Sequence, residues 1–173
     1  MSKRVAKCGL LIALAMVFSY VEVLIPFNFG IPGIKLGLAN LIVVVGFYSM
    51  KTTDVIAVSI VRIFLSGLLF GNLMSILYSL SGGILSIIVM LLLKRLHRFS
   101  IVGVSIAGGV FHNIGQIIVA MLILENFAVA VYLPPLLIAG TITGMLIGTL
   151  AMRMLPVIKK VMQKNNKEIF INA

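Results

Sequence analysis

The 173-residue chain has no tryptophan, one cysteine and only four acidic residues, of which one, Asp54, is an aspartate. Each scarcity excludes something. A lone Cys8 cannot close an internal disulfide. With one aspartate there is no aspartate-rich magnesium site of the kind a prenyl-diphosphate synthase needs. No cysteine–histidine constellation suggests a metal, and no glycine-rich loop ending in Lys-Ser/Thr is present to cradle a nucleotide. Ser79 and Ser81, in SLSGG, have no recognisable base beside them. An enzyme acting alone is not expected. Charged residues make up 10% of the chain against 61% hydrophobic ones, and the mean hydropathy is +1.23. A soluble domain carries about a quarter charged residues. The composition therefore excludes a soluble fold, a disordered chain and a disulfide scaffold, and leaves a bundle of membrane-spanning helices.

What is present is a series of long apolar runs. A span needs about 20 mostly apolar residues. The first run covers Val5–Ile25 and is stopped by Pro26; it is longer than a signal-peptide core and no small-residue cleavage site closes it, so it reads as a retained helix. PFNFGIPGIK follows as a loop or re-entrant turn. Further runs cover Leu36–Tyr48, Val55–Phe70, Leu73–Leu93, Ile101–Leu124 and Tyr132–Leu155, the last ending at Pro156. The expectation is an all-α integral membrane protein, a six-transmembrane-helix bundle over residues 1–155 with a basic cytoplasmic tail over 156–173.

The formal net charge is +10. In a soluble protein this would suggest nucleic-acid binding; here the basic residues sit between apolar runs and act as topology signals, so nucleic acid is not an expected partner. Twelve of the 14 Lys and Arg fall on one side of the predicted bundle: before the first helix, at Lys51, at Lys94, Arg95 and Arg98, and from Arg153 onward. The positive-inside bias then puts both termini in the cytoplasm, in a multi-pass protein of the cytoplasmic membrane.

Polar side chains inside such a bundle are costly unless they face its interior and find a partner. The candidates are Glu22, Lys35, Asn40, Arg62, His112, Asn113 and Gln116, with Asn72 as a further polar residue. In FHNIGQ, His112 and Gln116 are four apart and share a helix face. Arg62 can pair with Glu22, and the amides can act as interhelical hydrogen bonds. Two cations beside one carboxylate nevertheless favour a pocket for a small anionic ligand. Lys35 and Arg62 would hold its charge, helped by backbone donors of GIPGIKLGLAN. Small residues form a second pattern. Gly140, Gly144 and Gly148 recur every four residues, a spacing that favours packing within the bundle. Gly9 and Ala13, repeated by Ala15 and Ser19, suit either packing or docking onto another membrane protein.

The ordered blocks IPGIKLGLAN, RIFLSGLLFGN, SLSGGILSIIVM, FSIVGVSIAGGVFHNIGQ and YLPPLLIAGTITG resemble the Gx transporter family, often labelled heptaprenyl diphosphate synthase component I, over about Leu10–Leu150. That family is similar to the substrate-binding S components of energy-coupling factor vitamin transporters, six-helix proteins with both termini inside. The resemblance implies capture of a vitamin-like solute from the outer side. It also implies docking through small residues of the first helix, here Gly9 and Ala13, onto a coupling subunit that carries two ATPases. Glycine stands where that motif usually has its first alanine. Family members tend to accompany flavin-modifying and redox genes, including extracellular electron-transfer systems. The resemblance therefore implies a flavin, a quinone precursor or a prenyl diphosphate as ligand, with no covalently bound cofactor. The alternatives are a component of an electron-transfer assembly and a non-catalytic membrane subunit of a heptaprenyl diphosphate synthase, with a redox or prenyl-synthase partner.

Overall fold

A computed structural model of the chain describes residues 2–25 and 37–171, and within these the side chains of 4–25, 37–158 and 160. Among the described residues the structure is all helical: α1 (Ser2–Leu24), α2 (Leu38–Ser49), α3 (Thr52–Phe70), α4 (Leu73–Arg95), α5 (Ile101–Leu124) and α6 (Leu133–Ile171), with a 3-10 turn over Phe127–Tyr132 before α6. Five of these are long and apolar enough to cross a membrane. The protein is a multi-pass membrane protein.

The exception is α2. Its 12 residues span only about 18 Å, short of the roughly 30 Å of hydrocarbon in a bilayer. It does not need to meet lipid, because it packs on α1, α3 and α6. Ala39 and every residue from Leu41 to Phe47 are buried, which is the pattern of a helix apolar on all sides. From this core the other helices form a closed circuit: α3 on α4, α4 on α5, α5 on α6, and α6 back onto α2.

Glycines set how closely the α4–α5–α6 layer packs. A methyl group on Gly82 of α4 would lie 2.6 Å from the His112 carbonyl oxygen of α5, and one on Gly109 of α5 would lie 2.4 Å from the Gly140 carbonyl oxygen of α6. Gly144 and Gly148 approach the Cα atoms of Ile106 and Val102 in the same way. The glycine repeat of α6 is thus a packing stripe within the bundle. Van der Waals contact, rather than hydrophobic burial, is what joins helices in lipid, and small residues maximise it.

Local signals fix the helix ends. Asn72 caps α4, its Oδ1 accepting from Ser75 N–H at 2.8 Å, and Ser100 caps α5, accepting from Gly103 N–H at 3.1 Å. The expected stop at Pro156 is not where α6 ends: the helix continues through that proline to Ile171. Proline in a helix interior removes one backbone hydrogen bond and costs about 3 kcal/mol. Packing on both sides holds the helix together there, with Ala151 and Leu155 buried in the core and Ile158 resting on the same cluster. The apolar span itself runs over Phe127–Ile158, so the lipid-facing part ends close to the proline.

The starts of α1, α3 and α5 and the ends of α2 and α4 lie at one end of the bundle. Arg4 of α1 donates from Nε to Asp54 Oδ1 of α3 at 2.8 Å and from Nη2 to Thr53 Oγ1 at 3.3 Å. Lys94, at the end of α4, donates to the Phe47 carbonyl at the end of α2 and stands 5.1 Å over the Tyr48 ring. At the opposite end Tyr20 of α1 meets Phe70 of α3, with ring centroids 5.5 Å apart. Lys51, Lys94, Arg95 and Arg98 therefore share one end of the molecule.

Candidate functional site

A cavity of about 220 Å³ lies inside the bundle, and all six helices contribute to its wall. Glu22 comes from α1, Asn40 from α2, Arg62 from α3, and His112, Asn113 and Gln116 from α5. The structure thus brings six of the seven predicted site residues around one space; the seventh, Lys35, lies outside the described residues. The wall also includes Ser19 and Ser79, which the sequence reading named only as a small packing residue and a serine without a base, and Gly37, Ser66, Phe70, Ser75 and Thr143, which it did not single out. Their signal was helical spacing: Ser66 follows Arg62, and Thr143 follows Ala139, by one turn on the same face.

Packing places these groups. Because Gly82 lacks a side chain, α4 rests directly on the His112 and Gln116 turn of α5, and the two side chains are held beside the cavity. Gly37 opens α2 in a left-handed conformation, φ 70°, which glycine adopts without strain. Its N–H donates to Glu22 Oε1 at 2.5 Å, joining the end of α1 to the start of α2. Asn113 Nδ2 donates to the Leu136 carbonyl of α6 at 2.6 Å, an interhelical bond in the cavity wall. Asn72, by contrast, serves α4 as its cap and does not line the cavity.

Arg62 sits midway along α3 and donates from Nη2 to Asn40 Oδ1 at 3.2 Å. Among the described residues its buried Nε has no hydrogen-bond partner, and neither has the buried Gln116 Oε1. A buried polar atom left unpaired costs about 1–3 kcal/mol, more when it is charged. One donor and one acceptor are thus unsatisfied in the same wall. Arg62 and Asn40 also line a smaller cavity of about 30 Å³, room for a single water molecule. It extends toward the basic end between the buried Ser59, Ser86 and Ser105. Among the described residues no three His, Cys, Asp or Glu side chains are grouped to hold a metal ion.

Gly9 and Ala13 are not part of this site. Both lie on an exposed face of α1, and a methyl group on Gly9 would meet nothing within 4 Å among the described residues. Ala15 and Ser19, the parallel small pair, are buried against the bundle. The two small-residue patterns of α1 therefore face opposite ways.

The family model described as heptaprenyl diphosphate synthase component I matches residues 11–154. The chain belongs to that family. The matched stretch contains every residue named in the cavity wall, whereas Gly9 precedes it. Neither a curated protein nor a solved structure matches the chain. For a component I protein the question is what the polar cavity holds. Its wall offers a guanidinium, a carboxylate, an imidazole and amides, a set suited to binding and orienting a polar molecule.

Proposed function

We propose that this protein is a solute-binding membrane subunit that takes a small anionic, cofactor-like molecule, such as a flavin or a quinone or isoprenoid precursor, across the cytoplasmic membrane. The observation that carries this reading is the unpartnered, buried Nε of Arg62 in the wall of a cavity built by six helices. An ionic group inside a membrane bundle is costly, and binding an anion is a function that offsets the cost. Ligand pockets commonly run to about 300–1,000 Å³, so a cavity of about 220 Å³ suits a small molecule or the polar head of a larger one. The cavity is approached by the end of α1 and the start of α2, away from the basic end. With that basic end in the cytoplasm, the ligand arrives from outside. The exposed Gly9–Ala13 face is where a coupling subunit with its ATPases would dock.

The test is purification in mild detergent, followed by extraction and identification of bound molecules by mass spectrometry and absorbance. The expected result is a stoichiometric anionic molecule in the wild type that is lost in Arg62→Gln. An equally loaded Arg62→Gln protein would remove Arg62 from the site.

The family description favours a second reading, a non-catalytic membrane component of a heptaprenyl diphosphate synthase. It requires stable association with a soluble catalytic chain. Reconstitution of full synthase activity and product length without this protein would remove that reading.

A further inference from the structure

The cavity wall holds one buried donor and one buried acceptor that the described residues leave without a hydrogen bond. On the donor side, Arg62 Nη2 is committed to Asn40 and Asn113 Nδ2 to the Leu136 carbonyl, while Arg62 Nε remains unpartnered. Three of the wall hydroxyls direct their protons to nearby acceptors. Ser66 Oγ donates to the Ile63 carbonyl at 3.3 Å, Thr143 Oγ1 to the Gly140 carbonyl at 3.4 Å, and Ser75 Oγ to Asn72 Oδ1 at 3.0 Å. A hydroxyl whose proton is committed still offers its lone pairs as acceptors. To these are added the unpartnered Gln116 Oε1 and the Glu22 carboxylate, which accepts from Gly37 N–H. Arg62 Nε and Gln116 Oε1 are therefore a charged donor and an acceptor, both unmet by the described residues, in one wall.

We infer that the ligand is an acid that carries its own N–H or O–H donors, its anionic group on Arg62 and a donor directed to Gln116 and the hydroxyl oxygens. The inference rests on the ligand-binding reading above and narrows it. An ionised diphosphate brings almost only acceptors. It would satisfy Arg62 and leave Gln116 Oε1 unmet. A ring acid with hydroxyl or N–H groups satisfies both sides, and a site whose buried polar groups are left unpaired discriminates strongly against the analogue that lacks them.

Three probes separate the cases: benzoate, 3,5-dihydroxybenzoate and inorganic pyrophosphate, each titrated into the full-length protein in mild detergent at mildly alkaline pH, with binding read by calorimetry. The dihydroxy acid should bind about tenfold more tightly than benzoate, the gain from one hydrogen bond to an otherwise unpaired acceptor. Gln116→Leu should reduce that ratio to about twofold or less, while Arg62→Gln should weaken both acids together. The wild-type ranking of the three probes decides the matter even if a variant fails to fold. Equal binding of the two acids, or tighter binding of pyrophosphate than of either, overturns the inference and leaves the binding site standing. A protein that binds none of the three and carries no small molecule on purification overturns the binding-site reading itself, and this inference with it.

Discussion

Substituting Gly109 by alanine tests the packing that shapes the cavity. The added methyl group would lie 2.4 Å from the Gly140 carbonyl oxygen, a backbone atom that cannot rotate away. Ordinary van der Waals contact begins near 3.4 Å, so α5 and α6 must separate by about 1 Å. Overpacking of this kind costs typically 1–3 kcal/mol. The separation also strains the 2.6 Å bond from Asn113 Nδ2 to the Leu136 carbonyl, one turn along the same face, worth about 1 kcal/mol. Alanine returns roughly 1 kcal/mol through its better helix propensity. The net is a destabilisation of about 1–3 kcal/mol, or a fall in Tm of roughly 3–10 °C for a chain of this size. The assay is thermal unfolding in mild detergent, with Gly9→Ala as the control. Its methyl group meets nothing within 4 Å among the described residues, so only the gain in helix propensity remains and its Tm should rise by roughly 2–4 °C. A Gly109→Ala protein that melts with the wild type, or a Gly9→Ala protein that falls as far, would refute the reasoning.

Three further outcomes follow from single contacts. Arg4→Ala removes the pair with Asp54, whose arginine side chain is 57% exposed; solvent screens such a pair, so the expected loss of stability is small. It should still free the start of α1, so that the half-buried Cys8 reacts faster with a maleimide while the global melt barely moves. Asn72→Ala deletes the cap of α4 and should cost about 1 kcal/mol, read as a Tm lower by roughly 2–4 °C. Arg62→Leu removes an unpaired buried donor together with its bond to Asn40, so the ligand-free melt should stay within about 3 °C of wild type. A drop larger than that of Gly109→Ala would make Arg62 a structural residue.

The long helices were legible because hydropathy and charge are hard constraints on a chain in lipid. The run over Ile101–Leu124 and helix α5 share their ends, since Ser100 caps one end and Glu125, in a left-handed conformation, closes the other. Composition marks such boundaries directly. Pro156 misled for the opposite reason: a proline penalises the backbone locally, but core contacts at Leu155 and Ile158 on either side hold the helix. Those contacts depend on tertiary neighbours that no local pattern reveals. The 3-10 turn over Phe127–Tyr132 has no periodicity of its own and was equally invisible.

The charged and amide residues of the site stood out because they are expensive in hydrocarbon, whereas the serines and threonines beside them did not. A hydroxyl can bond to its own helix, as Ser66 does to Ile63 and Thr143 to Gly140, so its presence in a membrane span implies nothing about a site. Only the neighbouring helices show that these oxygens line a cavity. The same holds for small residues. Gly9–Ala13 and Gly140–Gly144 read alike as a four-residue spacing, yet one glycine looks onto open space and the other onto the backbone of α5. Spacing shows that a helix can be approached closely; for Gly140 the fold supplies what approaches it. A variant series at Gly140 therefore measures stability, whereas one at Gly9 tests the docking proposed for that face.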